Sequence, residues 1–65
     1  MEDLSASKIN GAIEEYCLNA RAMHALRRSM VDGISQEAIA EELDVSVGTI
    51  KNDIRRWRPV VRRHL

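Results

Sequence analysis

Gln36-Glu37-Ala38-Ile39-Ala40-Glu41-Glu42-Leu43-Asp44-Val45-Ser46-Val47-Gly48-Thr49-Ile50-Lys51-Asn52-Asp53-Ile54 is the stretch that decides how this chain folds. Ser35 stands just ahead of it as an N-cap, its hydroxyl placed to accept a hydrogen bond from a first-turn amide. Glu37 sits in the first turn, where the helix macrodipole favours an acid. Ile39, Ala40 and Leu43 recur at helical spacing, which predicts a helix over 36–43 with these three residues facing inward. Asp44-Val45-Ser46-Val47 cannot carry that stripe on in phase, so the chain must turn. Ser46 then restarts a helix with Ile50, Ile54 and Trp57 on one face. Ala40 is small enough to let the two helices approach closely, while Ile39, Leu43, Val45, Ile50 and Ile54 fill the wedge between them.

Outward from this stretch the pattern stays helical. Asp32-Gly33 closes a preceding helix, with Gly33 supplying the left-handed residue past its end. That helix is expected to start at an Asn19 cap and run through Val31, with Ala22, Met23, Leu26 and Met30 as its apolar stripe and Arg21, Arg27 and Arg28 covering the outside. Ile9, Ile13, Tyr16 or Cys17, and Ala20 predict a first helix over about residues 6–17, capped by Ser5 or Ser7, in which Asn10-Gly11 is the weak point. On the other side, Pro59 should stop the last helix at Arg58, because the residue before a proline is pushed out of the α region. A kink into a short tail helix carrying Val60, Val61 and Leu65 is the alternative. The whole reads as one all-α domain over 1–65, a small bundle of about four helices.

Composition limits what such a domain can be. With 65 residues there is room for one core, and with no Phe and only Trp57 and Tyr16 as Phe/Tyr/Trp-type aromatics the apolar area available is modest. Cys17 is the only cysteine, which excludes an intramolecular disulfide and a thiolate zinc cluster and suits a reducing compartment such as the cytosol. His24 and His64 have no metal-ligand spacing around them, so no metal or cofactor is expected. No stretch reaches the ~20 apolar residues of a membrane span, and Glu2 and Asp3 stand where an export signal would be basic. The expectation is a soluble, cytoplasmic protein. The formal net charge of zero hides a division along the chain. Residues 1–32 carry four basic and five acidic side chains, residues 33–45 carry four acidic and no basic ones, and residues 46–65 carry six basic ones against Asp53 alone. An acidic segment followed by a basic one suits a protein whose last helix faces a polyanion.

Two short helices joined by a turn of about three or four residues, the second one basic, are the layout of a helix-turn-helix over 35–58, with residues 6–31 supporting it. Extended to Gly33 and Arg58, the stretch closely resembles the helix-turn-helix of bacterial sigma-factor region 4 and of LuxR-type regulators. The run Ile39-Ala40-Glu41-Glu42-Leu43 followed by Val45-Ser46-Val47-Gly48-Thr49-Ile50-Lys51 carries the resemblance. The same motif serves transposases and phage packaging subunits, so it names the fold more closely than the task. Asp44 departs from the family pattern, which commonly has Gly at the turn; Asp is among the few other residues that tolerate positive φ.

With Ile50 inward, Gly48, Asn52 and Arg55 point away from the core, flanked by Lys51 on one side and by Thr49 and Arg56 on the other. Asn52 suits a bidentate pair with adenine and Arg55 one with guanine, while Val47 suits a thymine methyl. Ser46, Thr49, Lys51, Arg56 and Arg58 suit phosphates, and Gly48 allows close approach of the backbone to the groove. Trp57 continues the inward stripe and reads as core, and Cys17 as a small hydrophobe at a helix interface. Neither histidine has a partner at the spacing of a catalytic triad, and Glu41, Glu42 and Asp44 read as a solvated face or a contact for a basic partner, so no enzyme is expected.

These readings combine into a sequence-specific protein for double-stranded DNA, a small transcriptional regulator acting as a homodimer. One reading helix covers only about 4–6 base pairs, and a two-fold dimer doubles the site. Ile9, Ile13, Tyr16 and Ala20 form the stripe expected to serve as the dimer interface, with the Val60-Val61-Leu65 tail as competitor. The alternative is a protein-recruitment module whose acidic helix binds a basic partner such as an RNA polymerase subunit, or a DNA-binding subunit of a packaging or transposition assembly.

Overall fold

The computed structural model describes residues 6–65; Glu2, Asp3 and the candidate cap Ser5 lie outside the described residues. Four helices follow one another: α1 (Ala6–Tyr16), α2 (Ala20–Leu26) with a π-helical continuation over Arg27–Val31, α3 (Gln36–Leu43) and α4 (Val47–Arg63). The described residues are all-α, and no helix among them is long and apolar enough to cross a membrane.

The caps follow the sequence. Asn19 accepts a hydrogen bond from the Ala22 amide at 3.0 Å, Ser35 from Ala38 at 3.2 Å and Ser46 from Thr49 at 3.2 Å. Each satisfies one amide that a helix start would otherwise leave unpaired. Ser7 is not a cap, because α1 already includes it, and the helix runs through Asn10-Gly11 without a break.

At the end of α2 the predicted α-helix changes character. From Arg27 the backbone widens to a π turn, in which the Asp32 amide reaches back five residues to the Arg27 carbonyl at 3.2 Å. Gly33, at φ 69°, then lets the Ile34 amide close onto Arg28 at 2.9 Å. The poorer hydrogen-bond geometry of a π turn is offset by side-chain ties. Arg27 donates to Asn10 and Glu14 of α1, and Arg28 donates to Asp32 and to Glu42 of α3. The arginines expected merely to cover the outside of α2 therefore bind it to its neighbours.

Ile9, Ala12 and Ile13 of α1, Cys17 just past its end, Ala22, Ala25 and Leu26 of α2, Ile39 and Ala40 of α3, and Ile50, Ile54 and Val61 of α4 form one buried cluster. Met23, Met30, Leu43, Val45 and Trp57 pack against it. This placement revises the expected dimer stripe: Ile13 is 0 % exposed and Ile9 is buried, so both belong to the monomer's own core. Ala20 lies on α2, not on α1, and the half-buried Tyr16 ring stacks on His64 with centroids 3.6 Å apart. A 65-residue chain has too little apolar surface to leave such a stripe idle.

Pro59 does not end α4. The helix continues to Arg63, past the expected stop at Arg58 and without a separate tail helix. Proline removes one donor, leaving the Arg55 carbonyl without its partner four residues on, but both positions are exposed and water can serve there. Val61 is 0 % exposed and continues the Ile50, Ile54, Trp57 stripe, so burial holds the extra turn in place.

Candidate nucleic-acid interface

The turn between α3 and α4 sets the interface. Asp44 adopts φ 56° and ψ 48°, the left-handed conformation the sequence requires of it. Its amide bonds to Glu41 at 3.2 Å and the Val45 amide to Ala40 at 3.0 Å, closing α3 in a Schellman motif. Val45 packs against the core from this turn, and α3 lies against α4.

On α4 the inward and outward sides are as the wheel predicts. Ile50 and Ile54 are buried and Trp57 is half-buried, while Gly48, Lys51, Asn52, Arg55, Arg56 and Arg58 are all exposed along one helix. The Arg56 guanidinium lies 5.4 Å from the centre of the Trp57 ring and remains open to solvent. Two expected contacts are partly engaged elsewhere. Val47 is half-buried against the core, which limits what its methyls can offer a groove. The Ser46 and Thr49 hydroxyls are 2.9 Å apart and bonded to each other, so one hydroxyl proton is used there and one is left to donate. Gly48 has no steric reason to be glycine within the monomer: a side chain there would meet only the Ser46 hydroxyl, at 3.9 Å.

Ion pairing divides the basic residues by helix. Arg21, Arg27 and Arg28, on α2 and its continuation, each contact an acid within 4 Å. Among the described residues, Lys51, Arg55, Arg56, Arg58, Arg62 and Arg63 of α4 have no such partner. The acid that α4 does carry, Asp53, is engaged by Arg21 of α2. Glu42 is held below the usual carboxylate range by hydrogen bonds from Arg28 and then His24, and Arg28 is raised by its hydrogen bonds to Glu42 and then Asp32. Arg21 is raised by its hydrogen bond to Asp53. Glu37, Glu41 and Asp44, on one side of α3 and its cap, are exposed and form no ion pair among the described residues.

Asp53 is the feature that sequence reading missed. It is 8 % exposed, the one buried charged residue among those described, and its carboxylate takes two hydrogen bonds from Arg21. Its position was the available signal: Asp53 falls about 60° from Ile50 on the wheel, on the side away from Ile54, where Arg21 of α2 meets it. An acid there needs a cation, and α2 has one at Arg21.

The family described as sigma-70, region 4 matches residues 17–58, about two thirds of the chain. No curated protein and no solved structure shows significant similarity to it.

Proposed function

The chain belongs to the sigma-70 region 4 family of helix-turn-helix DNA-binding domains, and on that premise we propose that it reads double-stranded DNA sequence-specifically, as a cytoplasmic regulator of transcription. Residues 46–58 lie in the major groove in this reading. Asn52 and Arg55 address base edges, Lys51, Arg56 and Arg58 take phosphates, and Gly48 lets the backbone come close. The observation that supports it is the division of charge: six exposed cations on one helix without acidic partners, in a chain that pairs every arginine of α2. Like charges so arranged repel one another and gain from a polyanion. Arg55→Glu with Arg56→Glu should abolish binding to duplex DNA in a gel-shift titration while leaving helicity unchanged; retained binding refutes the assignment.

A homodimer remains our reading for how a short site becomes selective. With Ile9 and Ile13 in the core, the large apolar side chains exposed among the described residues are Leu18, at 83 %, and Leu65. Sedimentation equilibrium decides this: a 7.4 kDa species throughout the micromolar range rules the dimer out. Recruitment by a basic protein such as an RNA polymerase subunit is the second reading, supported by the unpaired Glu37, Glu41 and Asp44 on one side of α3. Under that reading Glu37→Lys with Glu41→Lys removes function while DNA binding persists.

A further inference from the structure

We propose that the part of α4 beyond Pro59 extends the DNA interface, with Arg62 and Arg63 gripping backbone phosphates outside the stretch that Asn52 and Arg55 read. The proposal rests on the DNA reading above and adds residues that lie beyond the family match, which ends at residue 58.

Rigidity is the first support. The helix passes Pro59 unbroken, Val61 is fully buried, and the Tyr16 ring of α1 stacks on His64 just past the end of α4. The last turn is thus anchored to the core at two points.

Alignment is the second. At about 100° per residue, Lys51, Arg55, Arg58 and Arg62 fall within a strip about 60° wide, and Asn52, Arg56 and Arg63 within a second strip about 40° wide. Pro59 lies between the strips, so Arg62 and Arg63 straddle it. Arg58 and Arg62 line one shallow groove together with Ile9, Ser29, Met30 and Leu65, so the two side chains lie side by side across Pro59.

Length is the third. A helix of 17 residues is about 25 Å long, whereas the major groove is about 12 Å wide, so a helix whose first half enters the groove must carry its second half over the sugar-phosphate backbone. Arginine is the side chain suited to phosphate. The helix macrodipole alone accounts for a cation in the last turn, but not for Arg58 or for the alignment with Lys51 and Arg55.

The test is the salt dependence of binding to a mixed-sequence duplex, followed by fluorescence anisotropy from about 50 to 200 mM salt for the unaltered chain, for Arg62→Gln/Arg63→Gln and for Arg62→Lys/Arg63→Lys. Two lost phosphate contacts should reduce the magnitude of the log–log slope by about 2, equally on two duplexes of unrelated sequence, and the lysine variant should restore it. Circular dichroism checks that both variants stay folded, and Arg62→Gln and Arg63→Gln made singly, each expected to reduce the slope by about 1, carry the test if the double glutamine variant does not. An unchanged slope and affinity in the glutamine variant, with the unaltered chain binding, overturns this proposal alone. No binding by the unaltered chain overturns the parent reading with it.

Discussion

Arg21 meets Asp53 side-on, with Nε 2.6 Å from Oδ2 and Nη2 3.1 Å from Oδ1, and this contact joins α2 to the inner side of α4. A bidentate guanidinium–carboxylate pair fixes orientation as well as distance. Hydrophobic contacts at Ile50 and Ile54 tolerate small rotations of α4 about its axis; the pair does not. The cost falls on Asp53 if Arg21 is removed, because a buried carboxylate then lacks its donor. Arg21→Ala should lower Tm by roughly 4–8 °C in a thermal melt. Adding Asp53→Ala to it should cost far less than the sum of the two single changes, as expected of directly coupled residues. Simple additivity would show that the contact is incidental.

Glu42 gives the chain an acid-sensitive tie. Hydrogen bonds from Arg28 and His24 lower its pKa below the ordinary value near 4.5. A group whose pKa is depressed by folding contributes stability that is complete above the unfolded value and is lost as pH falls through the folded one. Tm should therefore decline as pH drops below about 4.5, and Glu42→Gln should flatten that part of the profile. The pair is partly exposed, so the effect is modest and should shrink further in high salt. Parallel profiles for the two proteins would remove Glu42 from the account.

The turn stores strain at Asp44. A residue with a Cβ at φ 56° is less at ease than glycine, although aspartate tolerates this region better than most. Asp44→Gly should stabilise the fold by about 0.5–1 kcal/mol in urea denaturation, and Asp44→Val should destabilise it. Equal stabilities would mean that the turn relaxes without cost.

Gly48 separates folding from function. Its site has room for a methyl group, and alanine is the better helix former, so Gly48→Ala should raise stability by about 0.5–1 kcal/mol. If the backbone at Gly48 approaches DNA, the same change should weaken binding. Opposite signs in the two measurements are the expected result; a variant that is more stable and binds as well shows that the close approach does not occur at this residue.

Local features were the most legible part of this fold. Asn19, Ser35 and Ser46 were readable as caps, and Gly33 and Asp44 as left-handed residues, because each acts through its own or adjacent backbone. The outward side of α4 followed from helical periodicity alone. What escaped depended on tertiary context. Pro59 reads as a stop unless one knows that Val61 will be buried, and the π turn after Leu26 offers no signature in composition. The Arg21–Asp53 contact spans 32 residues, and only the inward position of Asp53 hinted at it. The burial of Ile9 and Ile13 was hidden for the same reason: nothing local in them says whether they serve this chain's core or a second copy's surface.

The measurement that tests the central claim most directly is fluorescence anisotropy of the unaltered chain with a labelled mixed-sequence duplex, repeated from about 50 to 200 mM salt. Six unpaired cations on α4 predict micromolar binding at the lowest salt and a log–log slope of about −3 to −6. A folded chain that fails to bind at about 100 µM protein and the lowest salt, far above the micromolar range expected of non-specific contacts, would contradict the account and turn attention to the acidic side of α3.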